Sequence, residues 1–205
     1  MKIRTVLLTM ALSLGSSVAF ADDAQLARSH FERGVALLDD SQFAQALVEL
    51  EKSRSIRETA PVLFNLGLAY RGVGRYLEAL DCFRQFLEVR DHAKHKKMAE
   101  MATTLIDELQ AGLIHVKVRV SGGATSVRID GKPTGQRDGV HSAVLDPGTH
   151  VFEAVREGYE PAVRRIEFKA GEHAEVILDA KSHPKSSRIS IEASPAQAEI
   201  WLDGK

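Results

Sequence analysis

The chain has 205 residues, of which 44% are hydrophobic, and its 27 basic residues nearly balance 28 acidic ones. This length suffices for two modest domains, and the apolar content is typical of a chain that folds rather than one that stays disordered. The balanced charge argues against a basic surface for nucleic acid. The single cysteine excludes an internal disulfide and a cysteine-rich zinc site.

Residues 1–21 have the three parts of a secretory signal peptide. Lys2 and Arg4 give a positive start, residues 6–18 form a short apolar stretch, and residues 19–21 have the small-x-small pattern of a cleavage site. The apolar stretch is short for a hydrocarbon core of about 30 Å, which favours a cleaved leader over a membrane anchor. We therefore predict export to the periplasm or the extracellular space.

Residues 22–112 are predicted to form a helical domain in which one pattern occurs twice, 33 residues apart. A period near 33 is typical of stacked helix-turn-helix units, and small residues at matching places let paired helices approach to about 8–10 Å. A further amphipathic helix over residues 94–110, followed by Gly112 as its stop, is predicted to cap the array. The matching pairs are Phe31 with Phe64, Gly34 with Gly67, Leu37 with Tyr70, Phe43 with Tyr76, Ala46 with Ala79, Leu47 with Leu80, and Leu50 with Phe83.

The second of these units has a well-defined set of small and large residues: Leu66, Gly67, Tyr70, Gly74, Tyr76, Ala79 and Phe83. In this set it resembles a tetratricopeptide repeat. The first unit departs from the family pattern at Arg33, where a leucine is usual, and at Ser53, where a small apolar residue is usual. Its assignment depends mainly on the shared offset.

Tetratricopeptide repeats bind peptides in a groove lined by the first helix of each pair, so the resemblance implies such a groove here. The matching positions are Arg28 and Val35 in the first unit and Asn65, Leu68 and Arg71 in the second. The alternative is that these residues only solvate a surface or pack against the exported chain's own termini, because similarity of fold is a weak argument for a ligand.

No metal site or cofactor is predicted from the helical part. His92, His95 and Asp91 lie in a basic run over residues 90–97 and could share a helix face. Three ligands are fewer than the four of a structural zinc site, and the neighbouring lysines repel a cation. Cys82 is predicted to be a small buried apolar residue.

The hydrophobic period changes from 3.6 to 2 at Leu113, and residues 113–180 are predicted to form a small antiparallel β module. Strands are expected at 114–120, 126–129, 139–145, 150–157, 162–169 and 173–178, separated by glycine-containing turns. One face of the module should be buried: Val116, Val118, Val127, Ile129, Val144, Val151, Ile166, Phe168, Val176 and Leu178.

Several short motifs in this module have characteristic places, namely residues 127–131, Gly135, the turn at 145–150, and Gly158-Tyr159. In these motifs the module resembles a PEGA domain, which implies an extracytoplasmic accessory module, although the tetrapeptide that names the family is absent.

The chain begins to repeat this module near its C-terminus, because residues 116–132 recur 73 positions later as residues 189–205. We therefore predict a linker at 181–188 and an incomplete second PEGA-like module at 189–205. This segment either belongs to a longer chain or pairs with an edge of the first module.

The predicted fold is α+β, with the helical repeats and the β module in separate domains. The sequence lacks a phosphate loop, a Gly-x-Ser-x-Gly motif and an EF-hand, so no catalytic residues are predicted and the chain is not expected to be an enzyme. We predict an exported envelope protein that binds a protein or peptide partner through the helical groove, with no transmembrane anchor. The alternatives are a protein that binds cell-wall polysaccharide, with the repeats as a spacer, and a hydrolase with an unrecognised site.

Overall fold

The computed structural model describes residues 16–89, 94–135 and 137–181, and their side chains from residue 22 onward. Predictions for most of the leader, for the start of the basic run, for the linker beyond Lys181 and for the incomplete second module lie outside these residues. The helices are α1 (Ser16–Asp39), α2 (Phe43–Ile56), α3 (Ala60–Gly72), α4 (Tyr76–Glu88) and α5 (Lys96–Gly112). The strands are β1 (Ile114–Ser121), β2 (Ser126–Ile129), β3 (Lys132–Pro133), β4 (Gly139–Leu145), β5 (Gly148–Val155), β6 (Ala162–Phe168) and β7 (His173–Asp179).

The helices therefore precede all the described strands, which confirms the α+β prediction. Within the described residues, the chain falls into two compact units. The first unit contains the helices together with residues 113–117, 142–150 and 166–175. The second contains residues 118–141, 151–165 and 176–181. None of the described helices is both long and apolar enough to cross a bilayer.

Helices α1 and α2 form one hairpin, α3 and α4 form a second, and a glycine is required at the same place in each. A Cβ atom at Gly34 would lie 2.6 Å from Leu50 Cγ, and one at Gly67 would lie 2.5 Å from Phe83 Cε1. The 33-residue offset relates both members of these contacts. Each glycine thus makes room for a large side chain from the second helix of its pair.

Two apolar clusters hold the helices together. One lies between the two hairpins and contains Ala46 and Leu50 of α2 with Leu66 and Cys82 of α3 and α4. The other lies between the second hairpin and α5, whose Ala102, Leu105 and Leu109 are buried against it. Helix α5 thus covers the last apolar face of the hairpins, as the sequence predicts.

Gly112 ends α5 for a reason that differs from the expected one. It is the last helical residue, and it does not adopt the positive φ of a left-handed C-terminal glycine. A Cβ atom at Gly112 would instead lie 2.8 Å from Tyr76 Cε2, so the residue is small because an aromatic ring packs against it.

The strands form two sheets, with the orders β4-β1-β7 and β3-β2-β5-β6. Strand β2 is antiparallel to both β3 and β5. His115 N–H donates to Glu172 O and Ala180 N–H donates to Ser121 O, so β1 and β7 run in the same direction. This pair is parallel, which corrects the prediction of a wholly antiparallel module. All six predicted strands are present with ends within two residues of the prediction, and β3 is additional.

The predicted buried face is correct for β1 and β7 and wrong in β4 and β5. In β2 and β6, Val127 and Phe168 are buried as predicted, whereas Ile129 and Ile166 are only half-buried. Val144 is 44% exposed, and β5 buries Phe152 and Ala154 rather than Val151. The register explains the second error, because Val127 pairs with Ala154 and residues directly opposite on antiparallel strands share a face. Val127 and Ala154 are both buried, so this face of β5 is the inner one.

Candidate peptide-binding groove

Four of the five residues predicted to line a groove surround one cavity of about 450 Å³ in the helical part. Helix α1 contributes Val35, and α3 contributes Asn65, Leu68 and Arg71. They come together because both helices are the first of their hairpins. The complete lining is Val35, Leu38, Asp39, Phe43, Asn65, Leu68, Arg71, Gly72 and Tyr76.

The fifth predicted residue, Arg28, lies elsewhere. It lines a separate cavity of about 420 Å³ near the start of α1, together with Phe31 and Pro61. Its Nε atom is 2.8 Å from Glu32 Oε1 on the same helix face, and both side chains are largely exposed. The structure therefore does not bring Arg28 together with the other four residues.

Four polar side chains line the groove, namely Asp39, Asn65, Arg71 and Tyr76, and two of them have partners that bear on ligand binding. Asn65 Nδ2 donates to Pro61 O at 2.8 Å, which fixes the amide group at the edge of the cavity. Arg71 Nη2 is 3.4 Å from Glu108 Oε2 on α5, and the two side chains are 47% and 55% exposed. Because an exposed pair of this kind contributes little free energy, Arg71 can exchange Glu108 for an anionic group of a ligand.

Sequence reasoning missed the two aromatic residues of the lining, Phe43 and Tyr76. Each is the first residue of the second helix in its hairpin, and the two are equivalent at the offset of 33. Phe43 packs so closely on Gly72 that a Cβ atom there would lie 2.2 Å from the ring. Their shared offset and aromatic character are a signal in the sequence, but the family pattern points only to the first helix of each pair.

Tyr76, which forms one wall of the groove, is the first residue of α4, and this helix has no N-cap side chain of its own. The N-cap position of α4 is Arg75, which makes no side-chain capping bond. Instead, Leu77 N–H donates to Asp146 Oδ1 at 2.8 Å, and the Tyr76 amide also donates to this carboxylate. Asp146 lies in the turn between β4 and β5, so a residue 69 positions later in the chain caps α4.

Within the described residues, the single cysteine and the metal-ligating side chains are two candidate sources of reactive chemistry. Cys82 is buried, and burial raises the pKa of its thiol to about 12, which keeps it protonated and unreactive. Across the described ranges, no three His, Cys, Asp or Glu side chains come together in a way that could hold a metal ion.

Two protein families match the chain. Residues 60–92, which include α3 and α4, match the tetratricopeptide repeat, and residues 113–182 match the PEGA domain. The chain carries a tetratricopeptide repeat followed by a PEGA domain. A tetratricopeptide repeat indicates protein–protein interaction, a PEGA domain indicates an accessory surface domain, and both families are typically non-catalytic. No curated protein matches the chain.

The match to the repeat family covers the second hairpin and confirms the resemblance noted in the sequence. The first hairpin lies outside the matched residues, although its glycine–leucine contact is equivalent to the glycine–phenylalanine contact of the second. Both hairpins supply residues to the groove.

Proposed function

We propose that the protein is exported to the bacterial envelope, where the groove of the helical repeats binds a segment of a partner protein. The PEGA domain serves as an accessory surface domain, and the chain has no catalytic activity. The observation that carries this proposal is the groove itself, to which the first helices of both hairpins contribute. Its volume of about 450 Å³ falls within the range of protein ligand sites, roughly 300–1,000 Å³.

The lining favours a peptide that has apolar side chains and an acidic group placed at Arg71, because Asp39 adds a negative charge elsewhere in the lining. Val35, Leu38 and Leu68 present apolar surface to a ligand side chain. The amide of Asn65 can exchange hydrogen bonds with a ligand backbone, and the guanidinium of Arg71 attracts a carboxylate. These groups can hold an extended segment without requiring one particular sequence.

Site-specific photo-cross-linking in cells tests this proposal, because it captures whichever protein occupies the groove. A benzophenone amino acid replaces Leu68 in the groove, and a matched variant carries it at Val48, which is 54% exposed and does not line the groove. We expect one or a few discrete protein adducts at position 68 and none of these at position 48.

A second substitution shows whether the adduct depends on groove chemistry. Arg71→Glu should reduce the yield at position 68, because it replaces the attracting charge with a repelling one. Equal adducts at positions 68 and 48, or a yield that Arg71→Glu leaves unchanged, would contradict peptide binding in this groove.

The proposed export is supported by the sequence of the leader and has its own test. Cleavage after Ala21 should leave a mature protein that begins at Asp22. Mass spectrometry of the protein from fractionated cells measures this end directly. An intact Met1 in the cytoplasmic fraction would refute export.

A further inference from the structure

At the N-terminus of α4, the backbone amides donate hydrogen bonds to a residue that lies outside the repeat. The first four N–H groups of a helix have no partner within it, and a serine, threonine, aspartate or asparagine usually caps them locally. Here the local residues are Gly74 and Arg75, and neither provides a capping side chain. The carboxylate of Asp146, from the PEGA domain, fills this role at 2.8 Å from the Leu77 nitrogen.

We propose that Asp146 is a positioning residue for the peptide groove, and that it acts by holding the start of α4 so that Tyr76 stays in place as a groove wall. This inference depends on the proposed function of the groove. It assigns the PEGA domain a part in forming the binding site of the repeat, beyond that of a separate accessory module.

The ring of Tyr76 is held at a second point that also involves the PEGA domain. It packs on Gly112 at the end of α5, where an added Cβ atom would lie 2.8 Å from the ring and 3.9 Å from Ala170 Cβ. The Gly171 amide donates to the Gly112 carbonyl at 2.9 Å. The turns after β4 and after β6 thus fix the backbone and the surroundings of one groove residue.

The environment of Asp146 suits a carboxylate that caps a helix. The positive end of the α4 dipole faces it, which favours the ionised form. Three charged or titratable groups also face it: Arg75 and Glu78 from the start of α4, and His150 of β5, whose Nε2 lies 2.8 Å from the Asp146 carbonyl oxygen. Burial raises the pKa of Asp146, and the hydrogen bonds from the Leu77 and Tyr76 amides oppose that rise in part.

The test uses three variants of the full chain and two-dimensional ¹H–¹⁵N NMR, which requires no ligand. Asp146→Ala removes the cap, and Asp146→Asn keeps a good capping side chain but removes the charge. Asp138→Ala is the matched control, because its carboxylate also accepts two backbone amides, those of Gly123 and Ala124, but does not contact the groove.

We expect Asp146→Ala to shift the amide signals of Leu77, Tyr76 and Gly72, and Asp146→Asn to restore most of them. Asp138→Ala should leave these signals in place. In the unsubstituted protein, the Leu77 amide should titrate with a midpoint above the ordinary pKa of an aspartate, and this titration should vanish in Asp146→Asn. Persistence of the titration in Asp146→Asn would show that a group other than Asp146 causes it and would overturn the proposal.

A ligand-level readout completes the test. The cross-link yield at position 68 should fall about fivefold in Asp146→Ala, as expected for a lost helix cap, and recover in Asp146→Asn. Groove signals or cross-link yields that Asp146→Ala leaves unchanged in a folded protein would show that Asp146 is merely structural. If position 68 gives no adduct even in the unsubstituted protein, the proposed function fails, whereas the NMR result still decides whether Asp146 positions the groove.

Discussion

The two helical hairpins share their packing but differ in the chemistry of equivalent positions. His30, Arg33 and Glu49 of the first hairpin form a polar cluster: Glu49 Oε2 lies 2.8 Å from both His30 Nδ1 and Arg33 Nε. The offset of 33 places three buried apolar residues at the same positions of the second hairpin: Leu63, Leu66 and Cys82. The same backbone arrangement therefore carries either an ionic network or an apolar core.

The position of each hairpin in the array explains the difference. Leu66 and Cys82 pack against Ala46 and Leu50 of the first hairpin, so that face of the second must be apolar. On the corresponding face of the first hairpin, the described part of the chain places no helix. A terminal repeat needs a polar outer face to remain soluble, and the first hairpin provides one. Its departures from the family pattern are therefore those expected of a terminal repeat.

The largest effect should come from the apolar hairpin. Phe83→Ala removes a fully buried ring that lies 5.6 Å from the ring of Phe64 and fills the space over Gly67. We expect a loss of about 3–5 kcal/mol in the free energy of unfolding, measured by chemical denaturation. The equivalent Leu50→Ala should cost less, about 2–4 kcal/mol, because it empties a smaller volume. The reverse order would mean that the first hairpin is the more tightly packed.

Alanine substitutions at Gly34 and Gly67 test whether the two hairpins are packed with equal rigidity. Gly67→Ala should destabilise by about 1–3 kcal/mol despite the better helix propensity of alanine, because the ring of Phe83 is confined by Phe64. Gly34→Ala should cost less, since a leucine side chain adjusts more easily than an aromatic ring. Thermal unfolding of both variants measures the difference. A stabilised Gly67→Ala would show that the ring moves freely.

Replacement of Ser53 tests how much this polar residue contributes to the stability of the first hairpin's core. It is buried and donates its hydroxyl to Ala27 O at 2.9 Å, whereas Phe86 occupies the equivalent position of the second hairpin. Ser53→Ala should cost about 1 kcal/mol, the usual net value of a buried hydrogen bond. The matched control is Ser55→Ala, which removes a similar but exposed bond to Lys52 O and should change stability by less than about 0.5 kcal/mol. Equal effects at the two positions would refute a special role for Ser53.

The smallest effect should depend on pH. Hydrogen bonds from Lys52, His30 and Arg33 lower the pKa of Glu49 from 4.5 to about 2, so the folded state favours the ionised form. Its contribution is therefore fully present above pH 4.5 and is lost as the pH falls toward 2. Glu49→Gln should cost about 1 kcal/mol at pH 7, a value reduced for solvent screening, and almost nothing at pH 2.

The control for this pH dependence is Glu32→Gln. Within the described residues, Glu32 forms only an exposed ion pair with Arg28, so its replacement should have little effect between pH 2 and pH 7. Unfolding curves across this range measure both variants. A cost for Glu49→Gln that does not change with pH would contradict the ionic account of the cluster.

Local patterns in the sequence predicted most of the fold. The paired helices follow from the repeat period and the strand ends from glycine turns such as Asp130-Gly131, where both residues have positive φ, as in a tight hairpin turn. The buried face of β5 was not predictable from local pattern alone. Val151 and Val155 alternate with Phe152 and Ala154, so both faces are partly apolar, and pairing with β2 decides between them.

The groove was predictable only in part. Val35, Asn65, Leu68 and Arg71 follow from the family pattern, because that pattern fixes which side of each first helix faces the groove. The capping of α4 by Asp146 depends on contact between segments 69 residues apart, and the sequence identifies Asp146 only as a turn residue. Long-range hydrogen bonds of this kind leave no periodic signal.

The junction between helix and sheet has a mechanical consequence. Helix α5 ends at Gly112 and β1 begins at Ile114, so a single buried residue, Leu113, connects them. Such a connection has no flexible residues that could extend. A force applied along β1 would therefore act directly on the last turn of α5. If the PEGA domain were anchored to a surface, a pull on the anchored end would reach the helical array without first stretching a flexible tether.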